Sequence, residues 1–139
     1  MGTRSLIAIE DNSTESLVIY CHYDGYPSHQ MPLLTKKYDT PARVRKLLSL
    51  GDLSCLETDK DWSQQPMKKQ PLSYKMRGET SVDMVRRKTN ELQRLAYERD
   101  AEWIYLFRGV HGWSYWKADW TCPGLMRGDG TRVEGFGGE

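Results

Sequence analysis

His22 and Asp24 are the residues whose types and spacing come closest to chemistry, with His29 five positions beyond Asp24. An imidazole beside a carboxylate can pass a proton, and a His/Asp/His set can hold a divalent metal. No His-Glu-x-x-His spacing accompanies them, so the pattern predicts no metal and no other cofactor. The simpler expectation is structural: Asp24 caps a turn, and His22 bonds to backbone or to a neighbouring tyrosine. Contact with a ligand is the remaining use, since polar groups converge where a strand ends beside a turn. Arg4 and Ser5 open the first predicted strand and face the 24–26 turn if that strand pairs with the next. Arg4 is then available to a phosphate or carboxylate through its planar fork, or is neutralised by Asp24; the sequence leaves both open.

Candidate nucleophiles carry no signature of activation. Ser5, Ser28 and Cys21 lie in no Gly-x-Ser-x-Gly frame, and Cys21 reads as a small buried hydrophobe within Leu17-Val18-Ile19-Tyr20-Cys21. The glycines of Gly124-Leu125-Met126-Arg127-Gly128-Asp129-Gly130 follow no strand and lack a Gly-Lys-Ser/Thr, so they make no phosphate loop. Binding is therefore expected in preference to catalysis.

The elements that must position these residues follow from hydrophobic periodicity. Residues 5–9 and 17–24 read as two strands joined by the polar loop at 10–16 into an antiparallel hairpin. Alternation puts Leu17, Ile19, Cys21 and Tyr23 on one face as the better core, and Val18, Tyr20, His22 and Asp24 on the other. Asp24-Gly25-Tyr26-Pro27 is a tight turn. A short helix is predicted over 32–38, and a second from the Thr40 cap and Pro41 to a stop at Gly51, with Val44, Leu47 and Leu48 inward. Residues 52–78 lose periodicity apart from a short extended piece near 72–76, and a stretch so irregular is often functional. A long helix is predicted over 81–100, with Val82, Val85, Leu92, Leu95 and Ala96 as its stripe. Residues 103–107 and 113–117 form a second hairpin.

These elements predict an α+β fold: two β-hairpins form a mainly antiparallel four-stranded sheet, covered on one face by helices. The expected division is a domain at 1–121 and a loosely held extension at 122–139, which carries six of the twelve glycines.

Seven of the fifteen aromatic residues fall between Trp103 and Trp120, and both faces of the second hairpin are apolar. One face must pack on the core, and the other needs a cover: a helix, a second subunit in a homo-oligomer, or a ligand stacked on Trp113, Tyr115 and Trp116. Residues 68–99 hold nine Lys+Arg against four Asp+Glu, including Arg77. A basic stretch of this kind is usually a solvated face, but it also attracts anionic partners.

Composition bounds the rest. At 139 residues the chain has room for one compact domain, and a formal net charge of +1 excludes both a polyanionic DNA mimic and a histone-like cation. No apolar run approaches the ~20 residues of a membrane-spanning helix, and no secretory leader is expected. Three widely spaced cysteines suit reduced thiols in a cytosol rather than a disulfide framework.

Thr3-Arg4-Ser5-Leu6-Ile7 and Tyr20-Cys21-His22-Tyr23-Asp24-Gly25-Tyr26-Pro27 resemble the T-R-S-x-I opening and the Y-C-H-W-D-G-Y-P-like turn of a family of small proteins from tailed phages and prophages. Leu48-Ser49-Leu50-Gly51-Asp52-Leu53-Ser54 and the aromatic hairpin are similar to later segments of that family. The chain departs from it at Tyr23, where the family has Trp, and over 28–32. The resemblance implies a phage accessory protein acting in the host cytoplasm, and carries no catalytic residue with it. Its expected partner is a host protein or ribonucleoprotein, such as a CRISPR effector, which the protein would inhibit. The alternatives are a sponge for a cyclic nucleotide signal, held by Arg4, His22, Asp24, Tyr26, Arg77 and an aromatic ring, and a small hydrolase or nuclease using His22 and Asp24.

Overall fold

The computed structural model describes residues 3–56, 71–74, 78, 82–118, 125–127 and 132–133. Strands β1 (Ser5–Glu10) and β2 (Glu15–Tyr23) form the expected antiparallel hairpin, in register from Ser5 opposite Cys21 to Glu10 opposite Ser16. The Asn12 side chain closes its loop, its Oδ1 accepting from the amides of Thr14 (2.9 Å) and Glu15 (2.8 Å).

Helix α1 (Pro27–Lys37) begins five residues before the predicted start at 32. Proline suits a first turn, where its missing N–H has no partner to lose. Helix α2 (Pro41–Leu48) matches expectation: Thr40 caps it by accepting from the Arg43 amide (3.2 Å), and Gly51, at φ 77°, lies just beyond its end.

Strand β3 (Leu53–Cys55) runs parallel to the C-terminal part of β2, and β4 (Leu72–Ser73) pairs with β3. The predicted helix over 81–100 does not form as a unit. Its first part is strand β5 (Val85–Lys88), antiparallel to the N-terminal half of β2; a 3₁₀ turn follows, and only Leu92–Glu98 is helix α3. Tertiary partners override the helical pattern here. Val85 pairs with Val18 and joins the core, Arg86 bonds to Asp11, and a buried 2.6 Å bond between Ser16 and Thr89 ends the strand.

Strands β6 (Trp103–Phe107) and β7 (Trp113–Lys117) make the second antiparallel hairpin, as expected. β6 lies parallel to β1, so the two hairpins join through parallel central strands. Two short pieces of the glycine-rich segment, β8 (Leu125–Arg127) and β9 (Arg132–Val133), continue the sheet beyond β7. The order is β4-β3-β2-β1-β6-β7-β8-β9, with β5 beside β2. The class is α+β and most strand pairs are antiparallel, but the sheet is larger than the expected four strands and mixed, since β1–β6 and β2–β3 run parallel.

Helices cover both faces, not one. On one side Met31 and Leu34 of α1 and Val44, Leu47 and Leu48 of α2 pack on Ile7, Ile9, Ile19, Tyr105 and Phe107. On the other, Leu92, Leu95 and Ala96 of α3 pack on Leu6, Ala8, Val18, Tyr20, Ile104 and Leu106. This double burial explains the unbroken run Leu6-Ile7-Ala8-Ile9, which an exposed face would have interrupted with polar residues. It also corrects the assignment of Val18 and Tyr20 to an outer face, since both are core. Among the described residues no helix is long and apolar enough to cross a membrane.

Candidate functional site

The sheet end formed by the start of β1 and the close of β2 gathers most of the polar residues singled out above. Ser5 opposite Cys21 sets Arg4 opposite His22 by continuation of the register. Beyond them Asp24, at φ 57°, turns the chain, and the Gly25 amide donates to Thr3 O at 2.8 Å. Asp tolerates this left-handed geometry better than most side chains. Buried Tyr105 donates its hydroxyl to Gly25 O at 2.5 Å, and burial raises its pKa well above the ordinary phenol value.

Ser5 belongs to the interior. It is fully buried and donates to Gln30 Oε1 (3.0 Å), while Gln30 Nε2 donates to Cys21 Sγ (3.2 Å). Burial pushes the Cys21 thiol up to about 12, so at neutral pH it is protonated and a poor nucleophile. Ser5, Gln30 and Cys21 satisfy one another here.

The opposite face carries a different cluster. His22 Nδ1 shares a 2.8 Å hydrogen bond with the Tyr20 hydroxyl, as the structural expectation for His22 required. The Tyr20 amide donates to Asp52 Oδ1 (3.0 Å), and Arg99 Nη2 donates to Asp52 Oδ2 (2.8 Å). Arg99 then lies over the Tyr20 ring, 4.4 Å from its centroid. The Asp52 side chain is 6% exposed and that of Arg99 33%, so a buried carboxylate anchors a cation that still reaches solvent. Burial raises the Tyr20 phenol, against the pull of Arg4 and Arg99. Tyr23, exposed, meets the His22 ring edge-on at 4.5 Å.

Burial first, and the charge of Arg4 second, lower the His22 pKa below the ordinary imidazole value. The unfolded chain then binds this proton more readily than the folded one, so stability should fall as pH drops through about 6.5. A His22→Gln variant, compared with the parent by urea midpoints between about pH 7 and 5.5, is expected to lose that part of the slope. Equal slopes in the two proteins would show that the imidazole proton is not coupled to folding.

His22, Asp24 and His29 do not converge. His22 lies on the α3 side of the sheet, whereas α1, which carries His29, packs on the other. Among the described residues no group of three or more His, Cys, Asp or Glu is placed to hold a metal ion. The Arg4–Asp24 ion pair does not form within 4 Å, and Asp24 is exposed. Tyr26, also exposed, lies 5.8 Å from the His29 ring, whose buried Nε2 has no hydrogen-bond partner among the described residues. Arg77 lies outside the described residues.

The aromatic hairpin is not the surplus surface its composition suggested. Trp113 is buried and donates its Nε1 to Tyr38 O (2.7 Å); Trp116 is buried and donates to Gln93 Oε1 (2.6 Å). Tyr115 is half-buried between Trp103 and Tyr105, at 5.9 and 6.1 Å. Helices on both faces supply the cover, and β6 separates these residues from Arg4 and His22.

The sequence reading missed Asp52 and Arg99. Asp52 follows the helix-stopping Gly51, and Arg99 closes α3, positions where charged residues are unremarkable; only the shared Tyr20 contact marks them. No family model, curated protein or solved structure matches this chain.

Proposed function

We propose that this chain is a non-enzymatic, phage-encoded binding protein that sequesters a small phosphate-bearing nucleotide in the host cytoplasm, as a countermeasure to a nucleotide immune signal. The observation that carries the reading is Arg4. It is half-buried, forms no ion pair with any described residue and stands opposite His22, with Arg99 anchored nearby over Tyr20. A guanidinium without a carboxylate partner is suited to phosphate. Exposed Tyr23 and Tyr26 offer rings on which a base can stack. The inert Cys21 and the separation of His22 from His29 favour binding over hydrolysis.

Thermal shift of the purified protein against cyclic dinucleotides, cyclic oligonucleotides and cyclic ADP-ribose isomers tests this directly. A true ligand at 100 times its Kd adds about 2.7 kcal/mol, and Arg4→Ala should remove most of that gain. A flat screen, or a shift that survives Arg4→Ala, counts against the proposal.

Inhibition of a host macromolecule, in the manner of an anti-CRISPR protein, is the second reading. With Trp113 and Trp116 in the core, Tyr23 (45% exposed) and Tyr26 (40%) are what favour it, because exposed tyrosines serve as interface anchors. A stoichiometric host partner that is lost on Tyr23→Ala with Tyr26→Ala, but kept on Arg4→Ala, would select this reading over the first.

A further inference from the structure

Among the described residues strand β5 is an open edge: it pairs there with β2 alone, and Arg86, Arg87 and Lys88 are all exposed. Hydrogen bonds at its two ends establish which backbone groups face outward. The Thr89 amide donates to Thr14 O (2.8 Å), and the Tyr20 amide points away from β1 toward Asp52. Even-numbered residues of β2 therefore turn their backbone toward β5, and their partners Val85 and Arg87 turn theirs back. The N–H and C=O groups of Arg86 and Lys88 are left on the outer side. Consistent with this, Arg86 O accepts from the guanidinium of Arg87 (2.9 Å) and from no strand among the described residues.

The charges on this edge divide into two kinds. Arg86 is held by Asp11 and Glu15, and Arg45 shares Asp11 at 2.8 Å. Arg87 and Lys88 have no carboxylate partner among the described residues, and Arg87 covers a carbonyl that another strand would bond. A second copy of β5 would set Arg86, Arg87 and Lys88 against themselves, and like charges directly opposed in a sheet destabilise it. An acidic strand meets complementary charge, and on pairing with Arg86 it releases the Arg87 guanidinium to one of its own carboxylates.

We propose that the outer edge of Val85–Lys88 accepts an extended acidic segment of a partner protein as an added strand. The surface is independent of the nucleotide reading: it lies at the other end of β2, roughly 20 Å from His22 at ~3.3 Å per residue.

The test uses the full chain and a fluorescent peptide alternating Glu with Val, alongside a Lys-Val peptide and a single-stranded oligodeoxynucleotide of equal charge. Lys88 has φ −61° and ψ 136°, values that proline adopts, so Lys88→Pro deletes one outward N–H without straining the strand. The acidic peptide alone should bind, about tenfold more weakly at 0.3 M than at 0.05 M salt, and Lys88→Pro should weaken it by about tenfold or more. Undiminished binding to Lys88→Pro that is lost in Arg87→Glu with Lys88→Glu would reduce the surface to charge attraction and overturn strand addition. Equal binding of the oligonucleotide, or self-association of the free chain through β5, would overturn the proposed occupant. If Lys88→Pro does not fold, amide exchange of the parent decides. Slowing of the Arg86 and Lys88 amides by about tenfold on adding peptide supports the added strand, and unchanged rates exclude it.

Discussion

Gly25→Ala is expected to destabilise the protein by about 3 kcal/mol, and to displace the turn beside Arg4 and His22. A Cβ at this position would sit 2.7 Å from Ser5 Cβ, 2.7 Å from Thr3 O and 2.8 Å from Ser5 Oγ. None of these can withdraw cheaply. Ser5 is held by Gln30 in the interior, and Thr3 O is backbone that already accepts the Gly25 amide. The turn must move instead, which breaks the Gly25–Thr3 bond and pulls Gly25 O from the Tyr105 hydroxyl. Overpacking alone costs about 1–3 kcal/mol, and a buried phenol left without its acceptor adds about 1–3 more. Urea denaturation measures the sum; a variant within about 0.5 kcal/mol of the parent would show that the turn has slack the distances do not suggest.

Asp52→Ala should cost about 2–4 kcal/mol, for a different reason. One carboxylate does two jobs: it accepts the buried Tyr20 amide and holds Arg99 over the Tyr20 ring. Alanine leaves the amide without a partner and releases the guanidinium, which in turn frees the Tyr20 hydroxyl from its fixed place against His22. Asp52→Asn keeps an acceptor for the amide and loses only the ion pair, so it should cost about 1–2 kcal/mol. Arg99 is a third exposed, so removing it from the parent should cost less than Asp52→Ala. Chemical denaturation of the three variants checks the order. Equal losses for Asp52→Ala and Arg99→Ala would mean that the Tyr20 amide contributes nothing.

Much of the local structure is legible in the chain itself. The two hairpins and helix α2 with its Thr40 cap and Gly51 stop follow from period and turn residues, and Arg4 comes close to the 24–26 turn once the strands take the register that the structure shows. The failures share a cause. Residues 85–88 carry a helical pattern but bond to β2, some seventy positions earlier, because Asp11 and Glu15 supply charge and Val18 supplies an apolar neighbour. Trp113 and Trp116 looked like surplus aromatics because a hairpin with two apolar faces needs two covers, and only the fold shows α1 and α2 on one side and α3 on the other. The helix at 27–37 starts ahead of the expected 32 because Pro27 both closes the turn and serves as a first helical residue.

The amino-acid sequence by itself determined the α+β class and the two hairpins, since each depends on residues near one another in the chain; the register that sets Arg4 opposite His22 is seen only in the structure. Tertiary structure alone decided the rest of the site. Asp52 lies 32 residues from Tyr20 and 47 from Arg99, and a carboxylate that joins them leaves no periodic trace. It alone also decided that Ser5 and Cys21 are interior, that β5 is an edge, and that β1 runs parallel to β6, because burial and strand partnership depend on which distant segments arrive at a face.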